Sequence, residues 1–239
     1  MAIVQPNEMN TRLFSLERNL SQMVGLVQNQ LQRVILAYER RDVASARQVV
    51  TDDERVDEFF VAIDAMVLEI LGDAKLNQLE LRRVISIMKI SGELERVGDL
   101  AKNIGKRINV ISTDIDTSPN IGVARMGRAS LRQLSDILDA YATDNLAAAE
   151  AVWAGDDELD NLYNSVFGEV LGVLTADSTL AETCVHLVFI AKNFERVGDH
   201  ATNIAEAIYF VKTGNAMPEP RPKSDRTASA LFTEDGRLH

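Results

Sequence analysis

Leu13, Leu16, Leu20, Met23, Val27, Leu31 and Val34 recur along the chain in steps of three and four. That spacing lines one face of a helix. It predicts a long amphipathic helix ending near Glu39. Asp42 stands where an N-cap is needed, ahead of a second stripe: Val43, Val49, Val50, Val56, Phe60, Ile63, Val67 and Ile70. This second helix stops at Gly72-Asp73, a C-terminal glycine signal. A third helix is predicted from about Leu76 to Ile111, followed by a linker from Thr113 to Pro119. Ser118-Pro119 reads as an N-cap followed by a first-turn proline. The fourth helix carries Met126, Leu131, Leu134, Ile137, Leu138 and Tyr141. Asp144 or Asn145 caps the fifth, whose apolar positions run from Leu146 through Leu159 and Val166 to Leu171. Leu174 to Ser178 is a break, and the sixth helix spans about Thr179 to Lys212. From Gly214 to His239, prolines interleaved with charge predict a flexible tail.

The third and sixth helices contain the same phrase. Glu95-Arg96-Val97-Gly98-Asp99-Leu100-Ala101-Lys102-Asn103-Ile104 returns as Glu195-Arg196-Val197-Gly198-Asp199-His200-Ala201-Thr202-Asn203-Ile204, an offset of 100 residues. The earlier helices match at an offset of 103: Ala37-Tyr38 with Ala140-Tyr141, Asp53 with Asp156, and Asp57 with Asp160. A self-match on this scale marks a duplicated unit. Three helices make one unit, and short connections make successive helices antiparallel neighbours. The predicted fold is therefore all-α: two tandem antiparallel three-helix bundles, over residues 8–112 and 119–213, with a tail over 214–239.

Within each phrase the local choices are poor for a helix. Ile85, Met88, Ser91, Glu95, Asp99 and Asn103 share one face, as do Val185, Val188, Ala191, Glu195, Asp199 and Asn203. Like charges at i,i+4 cost roughly 0.2–0.5 kcal/mol, and a mid-helix glycine costs about 1 kcal/mol against alanine. Asp53 and Asp57 add another acidic i,i+4 pair one helix earlier, as do Asp156 and Asp160. In an antiparallel hairpin, residues equidistant from the turn sit at one height. The midpoint of 53 and 95 is 74, beside the Gly72-Asp73 turn; that of 156 and 195 is 175.5, inside the second break. Each repeat thus brings four carboxylates and an asparagine to one level. Such a set takes up protons, recruits arginine or binds cations. Oxygen-only ligands suit hard ions such as magnesium, manganese, calcium or iron. The competing reading is ionic and mechanical: Arg96 and Arg196 neutralise the acids, and Gly98 and Gly198 only let two helices approach closely.

Charge narrows the partners. The net charge is −11, which disfavours nucleic acid or anionic lipid through a general field and suits cations or basic patches. Cys184, the single cysteine, lies in an apolar run and is predicted to be a core residue. No run approaches the roughly 18 apolar residues of a membrane helix, and the N-terminus carries no signal pattern. A cytoplasmic protein without direct membrane insertion is expected.

The paired Glu-Arg-Val-Gly-Asp-x-Ala-x-Asn-Ile phrases, each preceded by Asp-x-x-x-Asp one helix earlier, resemble the PhoU family of phosphate-uptake regulators over about residues 8–213. The resemblance implies metal clusters, described with iron, zinc, magnesium or manganese. The first would use Asp53, Asp57, Glu95, Asp99 and Asn103; the second would use Asp156, Asp160, Glu195, Asp199 and Asn203. His200 stands where the first copy has Leu100, so any histidine contribution would belong to the second cluster alone. The resemblance also implies a homodimer or larger assembly. It implies repression of phosphate-starvation signalling between a phosphate ABC transporter and a sensor histidine kinase, with restraint of phosphate uptake. An enzyme is disfavoured: no Glu-x-x-His, Gly-rich phosphate loop or His-Glu-x-x-His is present. A metal-free helical scaffold and an accessory of a different phosphate permease are the remaining alternatives.

Overall fold

The computed structural model describes residues 6–73, 76–111, 118–155 and 157–218. The 112–117 part of the expected linker, Asp156 and the tail from 219 onward lie outside the described residues. The first repeat comprises α1 (Pro6–Arg40), α2 (Val43–Asp52), α3 (Glu54–Asp73) and α4 (Gln78–Ile108). The second comprises α5 (Ser118–Ala142), α6 (Leu146–Ala154), α7 (Asp157–Ala176) and α8 (Ala181–Thr213), with a 3-10 turn at Ser178–Leu180 before α8. Among the described residues there is no strand.

The six predicted rods are present, but the second and fifth are each interrupted. In the first repeat the ladder breaks at Asp53, whose backbone stays helical (φ −62°, ψ −31°) while its carboxylate is buried. In the second, Gly155 leaves the helical region (φ −91°, ψ 15°), and its N–H donates to the carbonyls of both Ala151 and Val152. Hydrophobic periodicity runs unbroken through both points, so it carries no sign of the interruption.

The predicted caps at Asp42 and at Asp144 or Asn145 hold, whereas Gly72 lies inside α3 and Ser118 is already the first residue of α5, not its N-cap. The Asp42 side chain accepts from the Ser45 N–H, and Asn145, rather than Asp144, accepts from that of Ala148. Gly214 closes α8 in the left-handed region (φ 75°), its N–H donating to the Phe210 carbonyl. Asn77 and Glu80 form a reciprocal capping box at the start of α4.

The two motif helices, α4 and α8, pack on one another at the centre, with α1 and α5 beside them. The stripe facing the core in α4 is Val84, Ile87, Ile90, Leu94, Val97, Ala101, Ile104 and Ile108. Leu16, Leu20, Met23, Leu31 and Phe194 are also fully buried, and one apolar core runs through both repeats. The apolar part of the face that carries Glu95 and Glu195 lies largely outside this core: Met88 and Val185 are exposed. Cys184 is buried, as its apolar run implied. Among the described residues no helix is long and apolar enough to cross a membrane.

Candidate functional site

In the first repeat the break between α2 and α3 sets Asp53 against α4. Asp53 is only 1% exposed. One carboxylate oxygen accepts from Gln30 Nε2 at 2.9 Å, and the other from Lys102 Nζ at 2.6 Å. Lys102 also reaches Asp99 at 3.5 Å. Glu95 is half-buried and its pKa is raised, first by burial and then by repulsion from Asp99, Asp57 and Asp53 against the opposing pull of Arg96. Asp57 is exposed yet raised as well, by partial desolvation and then by Asp53, with Lys102 opposing. The four predicted carboxylates therefore do meet at one level. Asn103 does not join them; it is exposed.

The neutralising cation differs from the predicted one. Arg96 lies along the surface, 62% exposed, 3.3 Å from Glu95 and 3.8 Å from Asp99. Exposed pairs of this kind contribute about 0–1 kcal/mol. Lys102 instead meets the buried charge, and it is the charge-assisted bond to Asp53 that raises its own pKa. A lysine three residues after Asp99 was visible in the sequence, but only the fold shows that it reaches across to Asp53.

The second repeat keeps the frame and changes the partners. Glu195 is buried, with Lys192 Nζ 2.9 Å from one oxygen. Its other oxygen has no hydrogen-bond partner among the described residues. Burial first, then repulsion from Asp199 and Asp160, push its pKa up to about 7 against the bond from Lys192. Asp160 is buried, and Asp199 is half-buried. Arg196 is exposed. Asn203 and His200 turn away from this set: the Asn203 amide donates to Glu93 of α4 at 3.0 Å, and His200 Nδ1 lies 2.6 Å from the same oxygen. Burial would raise the pKa of Glu93, but the bonds from His200 and Asn203 outweigh it and hold it below the usual range. Glu93 was not singled out in the sequence because its counterpart in the second repeat is Asn193.

The motif glycines are close-approach positions. A methyl group on Gly98 would sit 3.1 Å from Asp53 Oδ1 and 3.2 Å from Gln30 Oε1. On Gly198 it would sit 2.9 Å from Gln133 Oε1 and 2.6 Å from Leu159 Cδ1. Gln30 and Gln133 are counterparts at the 103-residue offset, so each motif glycine makes room for one glutamine. That repeated polar pair was a readable signal.

As a metal centre the arrangement fits in its chemistry and not in its present spacing. The donors are all oxygen, and Glu195 carries a buried oxygen with no partner among the described residues. Yet no three aspartate, glutamate, histidine or cysteine side chains among the described residues are grouped to hold one ion. In the first repeat the Lys102 ammonium occupies the place between Asp53 and Asp99.

The PhoU domain model matches this chain twice, over residues 20–108 and 123–208. A phosphate-specific transport system accessory protein PhoU homolog of Caulobacter vibrioides is 40% identical over 215 residues, covering 89% of this chain and 93% of the relative. The crystal structure of PhoU from Pseudomonas aeruginosa superposes with a TM-score of 0.83 at 26% identity, covering 86% of this chain and 99% of that one. The phosphate transport system regulatory protein PhoU from Streptococcus pneumoniae superposes at 0.81 with 25% identity, over 88% and 100%. With the duplicated motif, the paired bundles and two matched domains on the same stretches, this chain belongs to the PhoU family.

Proposed function

We propose that this chain represses phosphate-starvation signalling and restrains phosphate uptake. It would act as a metal-binding adaptor between the phosphate ABC transporter and a sensor histidine kinase, on the cytoplasmic side and as a homodimer, without catalysing a reaction. The observation that carries the reading is the double PhoU-domain match over both bundles, joined to relatives named as phosphate-specific transport accessory proteins. That family relationship supports a role in regulating phosphate transport. An adaptor acts by binding one state of its partner better than another, so its effect is bounded by that difference in affinity.

The acidic clusters would supply the metal sites. Asp53, Asp57, Glu95 and Asp99 would hold a hard cation once Lys102 swings out, and Asp156, Asp160, Glu195 and Asp199 would do so in the second repeat. Asn103, exposed, and Asn203, engaged with Glu93, are left outside both sets. Elemental analysis of the purified protein against the Asp99→Asn, Asp199→Asn double variant tests this part. Equal metal content in both proteins would remove the clusters as metal sites.

The regulatory part is tested by deletion. Removing the gene should release starvation-induced alkaline phosphatase in phosphate-rich medium, and restoring residues 1–213 should silence it. If the enzyme stays off in the deletion strain, the repressor reading fails. Light scattering of the purified chain tests the homodimer.

A further inference from the structure

Between α5 and α7 lies an open groove of about 440 Å³ that the acidic clusters do not use. Arg125, Arg128 and Arg132 line it from α5, with Glu158, Asn161 and Leu162 opposite on α7. The arginines stand at i, i+3 and i+7, one face of one helix, and all three are exposed. Their Cα atoms span about 10 Å at the α-helical rise. Arg128 pairs with Glu39 of α1. Arg132 makes only a loose 3.8 Å contact with Glu158, both side chains being about two-thirds exposed. Arg125 makes no ion pair among the described residues.

Three features make this row more than a solvated face. It concentrates three of the chain's 25 cationic residues within eight positions of a protein of net charge −11. It is absent from the other repeat, whose counterparts at the 103-residue offset are Gln22, Gly25 and Asn29, so the shared frame does not require it. The groove on the far side of Arg132 is flanked by Asp136 and Asp139, so the positive strip has an acidic border.

The geometry points to a docking site for an acidic, amphipathic segment of a protein partner. A single small anion would need donors converging on one point, whereas these three are strung out along the helix. Carboxylates at matching helical spacing would meet Arg125 and Arg132 in the bidentate geometry that guanidinium favours and would compete with Glu39 for Arg128. Leu162 and Ala129 give an apolar contact between the charges. The rest of the acidic surface repels the same ligand, which fixes where it lands. The site stands on its own charge pattern and not on the phosphate-signalling reading.

The test uses the full chain and a fluorescein-labelled helical peptide of about fifteen residues, long enough for helix to form when stapled. The peptide carries glutamates at i, i+3 and i+7 with leucines between them. Fluorescence anisotropy should show saturable binding that weakens at least tenfold as salt rises from about 50 to 300 mM. Arg125→Glu, at an exposed position without an ion pair among the described residues, should weaken binding tenfold or more with an unchanged circular dichroism spectrum. Arg125→Lys should restore part of it. The proposal is overturned if the wild type ignores the peptide, if a lysine-for-glutamate peptide binds as well, or if Arg125→Glu binds normally. It is also overturned if inorganic phosphate displaces the peptide in the millimolar range, or if phosphatidylglycerol vesicles bind through Arg125 and the peptide does not. Those outcomes assign the row to a free anion or to a lipid surface.

Discussion

Replacing Lys102 by methionine would leave the Asp53 carboxylate 1% exposed and, among the described residues, held by Gln30 alone. Removing one partner of a buried ion pair typically costs about 3–5 kcal/mol, because the remaining charge keeps its desolvation penalty without compensation. The hydrogen bond from Gln30 and the partial exposure of Lys102, 28%, favour the lower end. At roughly 2–4 °C per kcal/mol for a chain of this size, the melting temperature should fall by at least about 6 °C. The loss should not depend on pH in the neutral range. The folded-state pKa of Lys102 is raised above 10.5, so its stabilisation is fully present below that value and fades only as pH rises through the higher folded one. Adding Asp53→Asn to Lys102→Met should recover most of the loss, since the stranded charge is gone. If a hard cation can take the ammonium's place, millimolar manganese should also recover stability in Lys102→Met and do less for the wild type. Thermal melts by circular dichroism, with and without manganese, read all three. A Lys102→Met protein that melts with the wild type would refute the buried-pair reasoning.

Three further outcomes follow from named contacts. Gly105→Ala would place a methyl group 2.9 Å from the Ala46 carbonyl oxygen, whereas the same change at Gly25 meets nothing within 4 Å. Urea melts should therefore show a loss of about 1–2 kcal/mol at Gly105 from overpacking and a gain of about 0.5–1 kcal/mol at Gly25 from helix propensity; equal signs would refute the packing argument. Glu195 has a folded pKa of about 7 against 4.5 unfolded, so the folded state binds the extra proton between those values. Wild-type stability should fall relative to Glu195→Gln as pH rises from 5 to 7; a gap that is flat in pH would count against the raised value. Glu93 is shifted the other way. Its contribution is present above about 4.5 and lost as pH falls through the lower folded value, so Glu93→Gln should cost more stability at pH 7 than in acid, the gap closing as pH falls below 4.5.

The sequence carried the rods, the repeat and the meeting of the carboxylates because each rests on a periodicity. Helical stripes recur at threes and fours, the duplication recurs at 100 and 103, and hairpin midpoints follow from counting. The missing pieces depend on which way single side chains reach. Lys102 reads as one more i,i+3 partner of Asp99 until α2 and α3 set Asp53 beside it. Asn203 occupies the motif position of Asn103, yet one is half-buried against Glu93 of the other repeat and the other faces solvent. The interruptions at Asp53 and Gly155 were invisible for another reason: a helix that pauses for one or two residues keeps its apolar stripe nearly in phase.

Duplication has copied the acidic frame but not the cation that balances it. In the first repeat Lys102, past the motif aspartate, neutralises Asp53; its counterpart Thr202 donates to the carbonyls of Gly198 and Asp199 on its own helix. In the second repeat Lys192, one turn before the motif glutamate, neutralises Glu195; its counterpart is Gly92. The two clusters therefore begin from different states. A cation entering the first must displace an ammonium from a carboxylate that is almost wholly buried. In the second, one oxygen of Glu195 already lacks a partner among the described residues, and Lys192 sits at the edge, about a third exposed. If both clusters take metal, the second should fill first. Manganese titrated into the metal-free protein and followed by paramagnetic broadening should reach residues around Glu195 before those around Glu95. In Lys102→Met that order should narrow or reverse. Simultaneous broadening in both proteins would mean that the lysines do not set the order of loading.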